Sequence, residues 1–145
     1  MDIKELKPTS IWHYFDAITG VPRPSKKEER IREFLLNFAK EQNLEVKVDK
    51  TGNVVITKEA TPGCEGAPTV ILQAHMDMVC EKNGDVKHDF ERDPIETYID
   101  GEWVKARGTT LGADNGIGMA AAMAVLADKE LKHGRIQALF TVDEE

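Results

Sequence analysis

Residues 68–77 read PTVILQAHMD. An apolar run passes, without alternation, into a histidine and an aspartate. Such a run predicts a β-strand covered on both faces. His75 and Asp77 are two residues apart, so in extended chain they point to the same side. In open α/β sheets, ligands bind at the carboxyl ends of strands. The polar end of this strand is therefore a candidate site.

Downstream, residues 78–94 are polar and irregular. ETYIDGEWVKA (96–106) predicts a hairpin with Asp100-Gly101 at its turn. RGTTLGADNG (107–116) is a loop of glycines and short polar residues. IGMAAAMAVLAD (117–128) is apolar on nearly all sides and predicts a buried helix. RIQALFTV (135–142) is the last strand, and it runs into Asp143, Glu144 and Glu145.

Upstream, LEVKVD (44–49) and NVVITK (53–58) predict a hairpin around Lys50, Thr51 and Gly52. Residues 26–42 place Ile31, Phe34, Leu35, Phe38 and Ala39 on one helical face. Ser25 and Glu28 match the S-x-x-E capping box that would open this helix. Gly20, Pro22 and Pro24 separate it from a shorter helix over 9–19, with Ile11, Tyr14, Phe15 and Ile18 at helical spacing. Strands interleaved with covering helices give an α/β layered domain. A length of 145 residues suits one domain with a real core.

The formal net charge of −7 argues against nucleic acid and against an anionic membrane surface. No stretch approaches the ~20 apolar residues of a bilayer span. The first residues, MDIKELKPTS, lack the apolar core of a signal peptide. The expectation is a cytoplasmic protein. Cys64 and Cys80 match no metal or redox spacing and are expected to be free thiols.

QAHMD, LGADNG and TVDEE each fall where a strand ends or a helix begins. If they converge, one imidazole (His75) meets five carboxylates: Asp77, Asp114, Asp143, Glu144 and Glu145. Carboxylates packed so closely repel unless some take up protons or a cation fills the centre. One histidine with several carboxylates suits a borderline divalent metal such as zinc or manganese. One carboxylate can also bridge two metals, as in two-metal hydrolases. Asp77 can hold the ring of His75 while the other ring nitrogen binds metal. Of the neighbouring pair Glu144 and Glu145, one could ligate and the other act as general base.

Plainer readings exist for each cluster. Asp114 could be a helix N-cap, HMD a strand end with a turn, and DEE a solvated strand end. Gly116-Ile117-Gly118-Met119-Ala120-Ala121 also fits the dinucleotide pattern G-x-G-x-x-A, so a nucleotide-binding module is an alternative. That pattern needs a hydrophobic strand directly before its first glycine, and RGTTLGADN is not one.

In this order, HMD, GADNG and DEE resemble the M20 family of di-zinc aminopeptidases and dipeptidases. ILQAHMDMVCEKN (71–83), RGTTLGADNGIGMAAAMAVL (107–126) and WHYFDAITGVPRPSKKEE (12–29) look like its Xaa-His, or cytosol nonspecific, dipeptidases. The resemblance implies a zinc-peptidase-like α/β domain with a mixed sheet covered by helices. It implies that His75 binds one zinc, Asp114 bridges both and Glu145 binds the other. Asp77 would orient His75, and Glu144 would be the general base on the attacking water. The peptide bond after Asp114 is often cis in this family. Asp143 is given no role beyond structure, and His13, His88 and His133 match no ligand position.

The family pattern needs two further ligands after DEE, an acid and a histidine, and a lid-like second domain. Residues 1–145 are thus expected to be the N-terminal segment of a catalytic domain, inactive alone and a weak zinc binder. Cobalt or manganese could substitute for zinc. The implied partners are a dipeptide, including those ending in histidine, and for the full-length protein a second copy in a homodimer. A non-catalytic relative is the remaining alternative.

Overall fold

The computed structural model describes residues 1–145. After a 3-10 turn at Ile3–Glu5, the elements run α1 (Thr9–Thr19), α2 (Glu29–Glu41), β1 (Glu45–Val48), β2 (Val54–Lys58) and β3 (Val70–His75). There follow β4 (Thr97–Asp100), β5 (Trp103–Ala106), α3 (Ala113–Ala127) and β6 (Ile136–Thr141). The main sheet has the order β1-β2-β6-β3, and β4 pairs only with β5. β6 lies antiparallel to β2 and parallel to β3, so the sheet is mixed.

One face of this sheet carries the core. Val54, Ile56, Ala74, Ile136, Ala138 and Phe140 share that face by register and are buried. They form one cluster with Phe15 and Ile18 of α1, Ile31, Leu35 and Phe38 of α2, and Met119, Met123 and Leu126 of α3. On the opposite face Val55, Gln137 and Leu139 are half-buried, and Ile71 and Gln73 are exposed. The apolar period of α2 and β6 matches this arrangement, because each has one face to bury.

Four local expectations change. The run at 68–77 is not covered on both faces. β3 is an edge strand, with Val70 52% and Ile71 61% exposed, and only Ala74 and His75 at its end are buried. Apolar composition alone does not distinguish a central strand from an edge one. Ser25 does not cap α2: the N-cap position is Glu28, without a side-chain cap bond. Ser25 donates instead to Asp77, an ionised acceptor far away in sequence that wins over a local amide. The two residues between β4 and β5 are Gly101 and Glu102, one step later than expected, because Asp100 pairs with Trp103. Finally, α3 starts at Ala113 rather than near 117, with non-helical backbone angles at Asp114 and Asn115. Gly112 is its N-cap, and the regular helix begins only after Asn115.

Candidate metal centre

Parallel pairing explains why the three polar clusters meet. His75 is the register partner of Thr141, and the Met76 amide donates to the Thr141 carbonyl at 2.7 Å. Residues 76–77 and 142–145 therefore leave the sheet at the same end. α3 packs on β3 and β6 and brings its first turn to that end. The Asp114–Asn115 peptide bond there is cis.

His75 is 5% exposed and stands at the middle of the cluster. Its Nδ1 lies 2.9 Å from the main-chain oxygen of Asp77 and 3.3 Å from Asp77 Oδ1. Both partners are acceptors, so Nδ1 carries a proton and Nε2 is left for other chemistry. Nε2 lies 2.9 Å from Asp114 Oδ1, 3.6 Å from Glu144 Oε2 and 4.0 Å from Glu145 Oε1. Burial pushes the imidazole pKa down. The bond to Asp114, the Asp77 carbonyl and the charges of Asp77 and Glu144 outweigh burial and leave it raised. The surroundings of Nε2 thus favour positive charge.

Asp77 is fully buried. Its carboxylate accepts from Ser25 Oγ at 2.7 Å, from the Glu144 amide at 3.1 Å and from the Glu145 amide at 3.1 Å. Burial raises its pKa, but these donors outweigh burial and hold the group below the ordinary aspartate value. Asp77 therefore faces His75 on one side and fixes the backbone of the two glutamates on the other. Asp143 makes this possible by taking a left-handed backbone angle, φ 50°. Its amide donates to Glu28 Oε2 at 3.0 Å, and its carboxylate turns away to Lys26 Nζ at 2.8 Å. The turn lets both Glu144 and Glu145 face His75, which consecutive strand residues could not do.

The ligand atoms of His75, Asp114 and Glu145 lie within 4.8 Å of one another. One buried imidazole with its remote nitrogen anchored, facing exposed carboxylates, fits a borderline divalent cation. His13 meets Tyr14 and His88 meets Phe90 edge to face, and His133 bonds the Gly134 carbonyl. None of these joins the cluster. The glycine pattern at 116–121 lies inside α3, and residues 107–112 form only an isolated bridge at Thr109. The strand that a dinucleotide fingerprint requires is not there.

Residues 71–145 match the sequence profile of peptidase family M20/M25/M40. The chain belongs to this family. It is 53% identical over 144 residues to the cytosol non-specific dipeptidase of Escherichia coli, covering 99% of this chain and 30% of that protein. It superposes on the aminoacylhistidine dipeptidase of Vibrio alginolyticus with a TM-score of 0.97 at 56% identity, covering 100% of this chain and 30% of that one. A tripeptidase of Staphylococcus aureus shares the fold, with a TM-score of 0.75 at 24% identity over 93% of this chain and 36% of that one. The chain thus spans about 30% of the length of the dipeptidases it matches.

Sequence reasoning missed the segment from Arg23 to Glu28, which touches all three clusters. Arg23 donates to carbonyls of Met76, Asp77 and Gly112, Ser25 donates to Asp77, and Glu28 accepts from Asp143. The available signal was a cation held between Pro22 and Pro24, in a loop whose stiff backbone lacks two donors.

Proposed function

We propose that residues 1–145 form the N-terminal segment of the catalytic domain of a zinc-dependent dipeptidase. The observation that carries this reading is the approach of His75, Asp114 and Glu145 within 4.8 Å, with Glu144 beside them. Membership of an M20 family and likeness to two dipeptidases support the substrate class, dipeptides with a free amino terminus, including those ending in histidine. The name of the Escherichia coli relative favours a cytoplasmic location. No helix is long and apolar enough to cross a membrane.

His75 Nε2, Asp114 and Glu145 would hold the metal. Zinc would supply Lewis acidity, polarising the scissile carbonyl and making water acidic enough to lose a proton near neutral pH. The Glu144 side chain is 58% exposed, its backbone is held by Asp77 and its carboxylate lies 3.6 Å from His75 Nε2, so it can reach an attacking water at the site. It would take a proton from that water and deliver one to the leaving amine nitrogen. Asp77 would keep the proton of His75 on Nδ1 and the glutamate backbone in place. The remaining ligands of this family pattern lie outside these residues, so the 145-residue chain alone is expected to bind zinc weakly and turn over no dipeptide.

Glu144→Gln in the longer protein that contains this segment tests the base. Dipeptide hydrolysis should fall by about 10²–10⁴-fold while bound zinc, measured by elemental analysis, stays at the wild-type level. Unchanged turnover would sink the assignment.

A further inference from the structure

Arg23 is 1% exposed, and its guanidinium forms no ion pair with a carboxylate. Nη1 donates to the Met76 carbonyl at 3.3 Å and the Asp77 carbonyl at 3.4 Å, and Nη2 donates to the Gly112 carbonyl at 2.6 Å. Nε has no partner. A buried cation is expensive, and an apolar side chain of similar size would fill the slot without that cost. Burial pulls the guanidinium pKa down to about 10, against the raising influence of Cys80 and Asp77, so the group still carries its charge at neutral pH. What an apolar side chain could not do is bond two separate segments at once. Met76 and Asp77 follow His75 at the end of β3, and Gly112 comes two residues before Asp114.

The slot is shaped around this side chain. A Cβ at Gly112 would lie 2.6 Å from Nη2, and one at Gly116 would lie 2.8 Å from it. The oxygen of Asp77 is also shared: it receives both Arg23 Nη1 and the Nδ1–H of His75. A proton on Nδ1 facing that carbonyl leaves the lone pair of the neutral ring on Nε2, which lies 2.9 Å from Asp114 Oδ1.

We propose that Arg23 is a positioning residue of the metal centre. Its guanidinium ties the strand end carrying His75 to the turn carrying Asp114, and it fixes the carbonyl that sets the His75 tautomer. The inference rests on the metal reading of these residues given above.

The test uses the longer protein that contains this segment, with Arg23→Lys, Arg23→Met and a His75→Ala control. Two quantities are read. One is zinc affinity by competition with a chromophoric chelator. The other is the His75 tautomer in metal-free protein, by long-range ¹H–¹⁵N correlation at alkaline pH where the ring is neutral. Arg23→Lys should weaken zinc about 10-fold and Arg23→Met about 100-fold. The population of the Nδ1–H tautomer should fall in the same order. Both variants folded, with wild-type affinity and wild-type tautomer, would overturn the proposal, as would a wild-type ring protonated mainly at Nε2. If Arg23→Met does not fold, Arg23→Lys decides. If zinc binds wild type and His75→Ala equally, the metal reading itself fails, and the tautomer alone judges Arg23.

Discussion

Two glycines in left-handed backbone make a useful comparison. Gly101, at φ 61°, turns the β4–β5 hairpin, and a Cβ there would meet nothing within 4 Å. Gly112, at φ 77°, opens α3, and a Cβ there would run into Arg23 Nη2 at 2.6 Å and Met78 Sδ at 2.8 Å. The first glycine answers a backbone need alone. The second answers a backbone need and a packing need together. Turns at the surface are set by local sterics, whereas the turn at the candidate metal centre is set by the two distant segments, at Arg23 and Met78, that press against it.

The sharpest way to break this comparison is to substitute both positions. A left-handed angle costs an L side chain about 1–2 kcal/mol. Crowding in a filled site adds about 1–3 kcal/mol. Gly112→Ala should therefore destabilise the chain by about 2–5 kcal/mol in urea unfolding, and Gly101→Ala by only about 1–2 kcal/mol. Equal losses would show that the packing around Gly112 yields freely.

The next effect in size concerns the Ser25 hydroxyl, which bonds the ionised Asp77. Hydrogen bonds to charged groups contribute about 1.5–3 kcal/mol. Ser25→Ala should lose that much in the same urea measurement. A local helix cap, the role its sequence context suggests, would be lost with a drop in helical circular dichroism of α2, which is not expected here.

The smallest effect is a slope with pH. Burial raises the Glu28 pKa above 4.5; the Asp143 amide opposes this, and the charges of Asp77, Asp143 and Glu29 add to it. A carboxyl with a raised folded-state pKa holds its proton more tightly folded than unfolded. Its contribution to stability is therefore greatest below 4.5 and declines as pH rises through the folded value. Glu28→Gln should remove this decline, read as a flatter stability profile in urea melts taken on the alkaline side of pH 4.5. A steeper profile would reverse the sign argued here.

Much of this was legible in the chain itself. The helix over 9–19 has those bounds, and both hairpins form, the second with its turn one residue later than Asp100-Gly101. Helical and strand periods report which side chains share a face, and one-sided elements such as α2 and β6 must bury that face. The three acidic and histidine clusters were also visible, because each sits at an element boundary where a packed core has no use for charge. Less legible was anything decided by a partner far away in sequence. Ser25 had a local pattern and a distant acceptor, and the distant acceptor was stronger. The apolar run of β3 gave no indication that its first residues lie at an edge. Arg23 had no periodicity to announce it.

The sequence by itself determined the elements, the chemical kinds of side chain at their ends, and the family. Those follow from local sterics, from the period of apolar residues and from the order of short motifs. Tertiary structure alone decided that β3 and β6 pair in parallel, so that His75, Asp114, Glu144 and Glu145 share one end of a sheet. It also decided that a loop between two helices holds them there. Such contacts join residues as many as 117 positions apart. No local rule encodes them, because their geometry exists only once the core has closed.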